Sequence, residues 1–234
     1  MRVVSLVPSV TETLVTWGVP PVACTRFCEQ PELVHVGGTK NPDVAAIVEL
    51  SPDLVVLCEE ENRREDADAL ARAGLVTAAL AIDGVDDVAP ALRMLAALVG
   101  VDGDAAGDLA GTARLPPADP PPGPPVRAFV PIWRRPWMTP SGGTYGSSLL
   151  ARIGIANVFA EAGERYPTTT LEEAAARAPD VVLAPSEPYP FRERHVEELS
   201  RVAPVVLVDG QDLFWWGART PAALDRLRAR LRPG

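Results

Sequence analysis

The sequence predicts an α/β protein of two Rossmann-like lobes in tandem, with a ligand cleft between them. Three observations carry this. Short β-branched runs bounded by turn residues alternate with stretches of helical periodicity. The pattern occurs twice: Ser51-Pro52-Asp53-Leu54-Val55-Val56-Leu57 matches Ala178-Pro179-Asp180-Val181-Val182-Leu183-Ala184 at a fixed offset of 127 residues (Asp53 to Asp180). Between the copies, residues 116–125 hold seven prolines and one glycine, a run that favours extended geometry and reads as a stiff linker. Two open α/β sheets in tandem present the C-terminal ends of their strands, where such sheets bind ligands.

The elements follow in order. Residues 3–7 form a first strand, and Ser9 with Glu12 three residues on reads as a capping box for the next helix. A helix over 44–50 leads through Pro52-Asp53 to a buried strand at 54–57, and charged helical residues follow at 62–73. Residues 85–100 repeat apolar side chains at helical spacing, and 104–115 form a weaker helix containing Gly107 and Gly111. The pattern then restarts with a strand at 126–132, helices at 145–153 and 171–177, and a strand at 180–184. A helix at 191–200, a strand at 205–208 and a closing helix at 221–231 complete it. The expected organisation is an N-terminal lobe at 1–100, a connecting helix and Pro-rich linker at 101–125, and a C-terminal lobe at 126–234.

Composition narrows the function. Of the 234 residues 47% are hydrophobic and 23% charged, enough apolar side chain for packed cores. A net charge of −9 argues against nucleic acid or an anionic membrane as the main partner. No apolar run reaches membrane-spanning length, so membrane insertion is not expected. Met1-Arg2 runs directly into a strand with no secretory signal, which places the chain as written in the cytoplasm, or outside it if a leader has been removed. Three cysteines do not make a disulfide scaffold.

The loops that follow strands are the candidate site. In the first lobe they bring Phe27, Cys28, Cys58 and Glu60; in the second, Trp133, Arg134, Tyr166 and the stretch from Asp209 to Arg219, with Asp212, Phe214 and Trp215. Four of the five tryptophans lie in two second-lobe loops, offering wide flat faces to a bulky ligand. Gly37-Gly38-Thr39 lacks the spacing of a phosphate loop, and Ser141-Gly142-Gly143-Thr144 reads as a turn with an N-cap. His195 falls in a charged helix and is expected to face solvent. No catalytic motif is present: there is no Ser-His-Asp order, no paired-carboxylate motif and no HExxH.

Several of these segments resemble a known family. Val4-Ser5-Leu6-Val7-Pro8-Ser9-Val10-Thr11-Glu12, Val36-Gly37-Gly38-Thr39-Lys40-Asn41, Ser51-Pro52-Asp53-Leu54-Val55 and the stretch from Asp209 to Arg219 are similar to the helical-backbone metal receptors, the substrate-binding proteins of ABC transporters, and within them to the cobalamin-binding branch. The resemblance implies a class III periplasmic-binding-protein-like architecture, two lobes joined by a helical backbone segment. It implies a ligand drawn from cobalamin, siderophores or metal chelates, with a corrinoid or chelate as the bound group, and an ABC permease as partner. It places the pocket wall on Phe27, Cys58, Trp133 and Tyr166, with Asp212 and Phe214 from the last loop. Transporter docking falls on Glu172; the matching first-lobe position is Ala45, with Asp43 nearby. The expected function is therefore a non-catalytic small-molecule binding protein, a cytosolic relative of that family. The alternative is a cytosolic enzyme on the same scaffold, using Cys28 or Cys58 with the Glu59–Glu61 cluster.

Overall fold

The computed structural model describes residues 1–102 and 123–231. The expected helix at 104–115 and most of the proline run lie outside the described residues. The chain separates into two compact units. The first holds Met1–Ile82, the segment from Asp86 and, from late in the sequence, Trp216–Thr220; the second holds Asp83–Val85, the segment ending at Trp215, and the segment from Pro221.

The first unit is built on a parallel sheet. Its strands are β1 (Val3–Ser5), β2 (Ala23–Cys24), β3 (Val34–His35), β6 (Leu54–Cys58) and β7 (Thr77–Leu80), in the order β3-β2-β1-β6-β7. A small antiparallel pair, β4 (Gly37–Gly38) with β5 (Asn41–Pro42), stands apart. Helices α1 (Pro8–Thr16), α2 (Val44–Glu49) and α3 (Arg64–Arg72) connect the strands, and α4 is Val85–Val99. β6 is buried along its whole length because a central parallel strand is covered on both faces, which is why it reads as an unbroken apolar run. Val4, Leu6, Val55, Leu57, Ile47 and Leu70 form the core.

The second unit repeats the plan with four parallel strands: β8 (Val126–Phe129), β10 (Ile155–Asn157), β12 (Val181–Pro185) and β13 (Val205–Val208), in the order β10-β8-β12-β13. A two-stranded antiparallel pair joins β9 (Trp137–Met138) to β11 (Thr168–Thr169). Its helices are α5 (Tyr145–Ala151), α6 (Leu171–Ala176), α7 (Val196–Leu199), α8 (Gly210–Phe214) and α9 (Thr220–Leu231). Phe129, Phe159, Val182 and Leu199 lie at the centre of its core.

The internal repeat extends to single bonds. Asp53 accepts the Arg2 amide N–H at 2.6 Å, and Asp180 accepts that of Arg127 at 2.8 Å. The same two guanidinium groups donate to the carbonyls that end the preceding helices, Leu50 at 2.8 Å and Arg177 at 2.6 Å. Ser51 and Ala178, just before Pro52 and Pro179, both adopt the left-handed conformation, with φ of 46° and 48°. Each Pro-Asp turn thus stops a helix, fixes the strand that follows and satisfies helix-terminal carbonyls with one arginine.

Three expectations change. The first helix starts two residues earlier than the expected capping box requires: Pro8 occupies its first turn, Val7 is the N-cap, and no side chain caps it. Proline lacks the N–H a cap would satisfy, and Ser9 Oγ accepts the Trp216 amide N–H at 3.2 Å instead. The expected helix at 191–200 is a 3-10 turn, Glu193–His195, running into the single turn of α7. The third is β7, with the short strands β2, β3 and β10, none of which was expected; two- to four-residue strands containing Ala, Cys or His leave little periodic signal.

Candidate functional site

The loops after β8 and β12 meet in an aromatic group on the second unit. Trp133 is 44% exposed and meets Tyr189 edge-on, with ring centroids 5.7 Å apart. Tyr189 lies 4.8 Å from Phe191, and Phe191 stacks on Trp137 at 6.0 Å with the planes 6° apart. His195 closes the group, 5.6 Å from both Tyr189 and Phe191. Pairs of this kind contribute about 0.5–1.5 kcal/mol each beyond the area they bury. The rings beneath Trp133 therefore hold it while leaving much of its own face open.

Charge is compensated around this group. Arg134 lies over Trp137, 5.9 Å from the ring centre, and pairs with Glu198 at 2.9 Å. His195 is only 5% exposed and accepts the Arg192 amide N–H on Nδ1 at 3.0 Å, so it does not face solvent as expected. Burial, then the charges of Arg194 and Arg134, hold its imidazole below the ordinary histidine range.

On the first unit the turn after β2 carries Phe27, 49% exposed, with the Arg26 guanidinium 4.7 Å from its ring centre. Both rest on Gly38, where a Cβ would come within 3.1 Å of the Phe27 ring and 3.2 Å of Arg26. Cys28, the next residue, is buried, with the Thr11 and Thr25 hydroxyls each 3.2 Å from its sulfur. Cys58 is buried too, and desolvation followed by the Glu61 charge pushes its thiol up to about 12. Neither sulfur forms part of an open surface. Glu60 is half-buried, and its carbonyl accepts Lys40 Nζ at 2.7 Å. Asn62 organises this edge: its carbonyl oxygen accepts the Cys58 amide N–H at 2.8 Å while its amide donates to Leu6 and Thr39 carbonyls at 3.2 and 2.9 Å.

The last loop divides between tasks. Asp212 is 4% exposed and takes both Nε and Nη2 of Arg226, at 2.7 and 2.5 Å, so its carboxylate is committed within the second unit. The Phe214 ring packs against Gly146, where a Cβ would come within 3.0 Å of it. Trp215 is buried and Tyr166 half-buried. Glu172 stands exposed in the first turn of α6, whose capping box is made by Thr170 and Glu173.

The chain is similar to known proteins in sequence and in fold. A vitamin B12-binding protein of Yersinia pestis is 28% identical over 195 residues, covering 78% of this chain and 68% of its own. The structure of the periplasmic vitamin B12 binding protein of Vibrio cholerae matches with a TM-score of 0.80 at 21% identity, covering 98% of this chain and 96% of that one. A periplasmic heme binding protein of the same organism gives 0.80 at 18%, covering 100% and 99%. No family model matches. The chain is similar in sequence to vitamin B12-binding proteins. Their fold is its fold, and the matched proteins are named as binding proteins, not as enzymes. Two of them are described as periplasmic, and nothing supports the expected cytoplasmic placement. No helix among the described residues is long and apolar enough to cross a membrane.

The structure brings Trp133 and Arg134 together, and it adds Trp137, Tyr189, Phe191 and His195 to them. Phe191 was missed as a site residue because it was assigned to a helix.

Proposed function

We propose that the chain is a substrate-binding protein of the ABC-transporter type for a large, flat, largely apolar small molecule of the corrinoid or heme class. The observation that carries this is the aromatic group on the second unit, whose outermost ring, Trp133, meets Tyr189, itself packed on Phe191, yet remains 44% exposed. An indole face fixed in advance offers contact area without the entropic cost of ordering it on binding. Trp133 supplies the main apolar face, Tyr166 is a second candidate aromatic of the same unit, and Phe27 is a separate candidate contact on the first unit. Asp212, Phe214 and Trp215 shape the loop rather than meet the ligand, and Arg134 reaches it with its charge already balanced by Glu198. The names of the relatives, vitamin B12 and heme binding proteins, support this ligand class.

The same reading assigns a permease as partner, docking on Glu172 of the second unit and on Asp43 of the first. Asp43 is exposed, although its Oδ1 also caps α2 by accepting the Ala46 amide N–H at 3.0 Å. It places the working protein outside the cytoplasm. The test is equilibrium titration of the full chain with hemin and with cyanocobalamin, followed by tryptophan fluorescence. Trp133→Ala is expected to weaken binding at least ten-fold, and a change below two-fold contradicts the aromatic-face assignment.

A further inference from the structure

His195 lies at the base of the aromatic group and closes the turn behind the rings that support Trp133. Two hydrogen bonds make that closure: the His195 amide N–H donates to the Arg192 carbonyl at 2.8 Å, and His195 Nδ1 accepts the Arg192 amide N–H at 3.0 Å. The imidazole packs 5.6 Å from both Tyr189 and Phe191, which precede the turn. Phe191 is fixed in the same loop by its amide N–H, which donates to the Tyr189 carbonyl at 2.8 Å. Tyr189 is the ring that Trp133 meets. One buried imidazole thus connects the loop after β12 with the exposed indole of the loop after β8.

The contacts of this ring select its deprotonated form. Nδ1 accepts the Arg192 N–H only with its lone pair free, so the neutral ring carries its proton on Nε2. Arg194 Nε lies 3.3 Å from Nε2, on an exposed side chain that can turn aside. The Arg192 amide has no such freedom, because it belongs to the backbone of the turn. A second proton on the ring sets N–H against N–H at Nδ1 and breaks the bond that closes the turn. Burial opposes a cationic ring, and so do Arg194, Arg134 from the loop after β8, and Arg192. Glu198 of α7 favours one, but it is already paired with Arg134 at 2.9 Å.

We propose that His195 is a positioning residue for ligand binding and makes that binding sensitive to acid: the neutral ring holds Tyr189, and through it the Trp133 face, whereas the protonated ring releases the loop and lowers affinity. The inference rests on the reading of Trp133 as the ligand face. His195 itself touches no ligand. It acts by favouring, when neutral, the arrangement in which the indole is held ready, and a ligand that binds this arrangement better disfavours protonation in return. Among side chains, histidine is the one whose ordinary titration range lets a modest fall in pH do this.

The first test needs no ligand. The intact chain is labelled with 5-fluorotryptophan, and the fluorine resonance of Trp133 is identified by its absence in Trp133→Phe. Between about pH 8 and about pH 5 this resonance is expected to shift in one step with a midpoint below about 6.5. In His195→Asn, whose side-chain oxygen keeps an acceptor near the place of Nδ1 but takes up no proton, it is expected to stay where it is. A wild-type resonance that does not move, or one that moves equally in the variant, overturns the proposal; the first of these results is independent of how any variant folds. Hemin and cyanocobalamin are then titrated into both proteins at the two ends of that range. For whichever binds at about pH 8, the wild type is expected to lose at least about five-fold in affinity at about pH 5, and His195→Asn less than about two-fold. Any effect of acid on the probe itself is common to both proteins, so an equal loss in both overturns the proposal. Binding of neither probe at about pH 8 contradicts the ligand class proposed above, while the fluorine resonance still decides the role of His195.

Discussion

At the scale of single residues, burial and pairing separate the side chains that hold the fold from those left to meet a ligand. Asp212 is the clearest case of the first kind. Its carboxylate is enclosed, but Arg226 is half exposed and can turn to water when the partner is lost, so Asp212→Ala should cost about 1–3 kcal/mol rather than the full penalty of a buried unpaired charge. Urea unfolding measures this, and Asp212→Asn should leave ligand affinity within two-fold. His195 gives a pH signature. Because its folded-state pKa lies below the unfolded value of about 6.5, the unfolded chain takes up the proton first as pH falls. Its contribution is therefore fully present above about pH 6.5 and is lost progressively as pH falls below it. His195→Phe should flatten stability against pH in that window; an unchanged slope contradicts the assignment.

At the scale of elements, the repeated Pro-Asp turn was the most legible part of the sequence, because its chemistry is local. A helix end, a left-handed residue, a proline and an aspartate each leave a residue-type signal, and the two copies reinforce one another. Long apolar strands such as β6 were equally visible. What escaped was set by tertiary contact: β2, β3, β7 and β10 are too short for periodicity, and the start of α1 follows from proline at its first position rather than from Ser9 and Glu12. The candidate site was half legible. Trp133 and Arg134 announce themselves by type and position, whereas the rings that hold Trp133 come from a loop beyond β12 whose approach no sequence spacing encodes. The left-handed turn offers a further prediction. Ala178 at a φ of 48° carries strain of about 1–2 kcal/mol that glycine avoids, less glycine's greater freedom in the unfolded chain. Ala178→Gly should therefore raise stability by up to about 1 kcal/mol, and a loss in thermal unfolding sinks the idea.

At the scale of the whole molecule, the chain returns late in its sequence to complete its first unit. The amide N–H groups of Trp216 and Ala218 donate to Ser9 and Thr13 hydroxyls at 3.2 Å each, and Arg219 grips Glu12 at 2.8 Å. Gly217 sits between them at a φ of 109°, where a Cβ would run into Thr13 Oγ1. Gly217→Ala should cost at least about 2 kcal/mol, seen as a lowered midpoint in denaturant. These contacts tie the first unit to residues that follow the last strand of the second, so the two copies of the repeat do not correspond to two continuous halves of the chain. A shared fold does not by itself assign a ligand, and the assignment made for this molecule stands on the exposed, ring-supported Trp133. The measurement that bears most directly on it is calorimetric titration of the intact protein with hemin and cyanocobalamin in parallel. Saturable binding of one of them to a single site, lost in Trp133→Ala with the fold intact, is the predicted result. Absence of heat and of tryptophan quenching with both would contradict it.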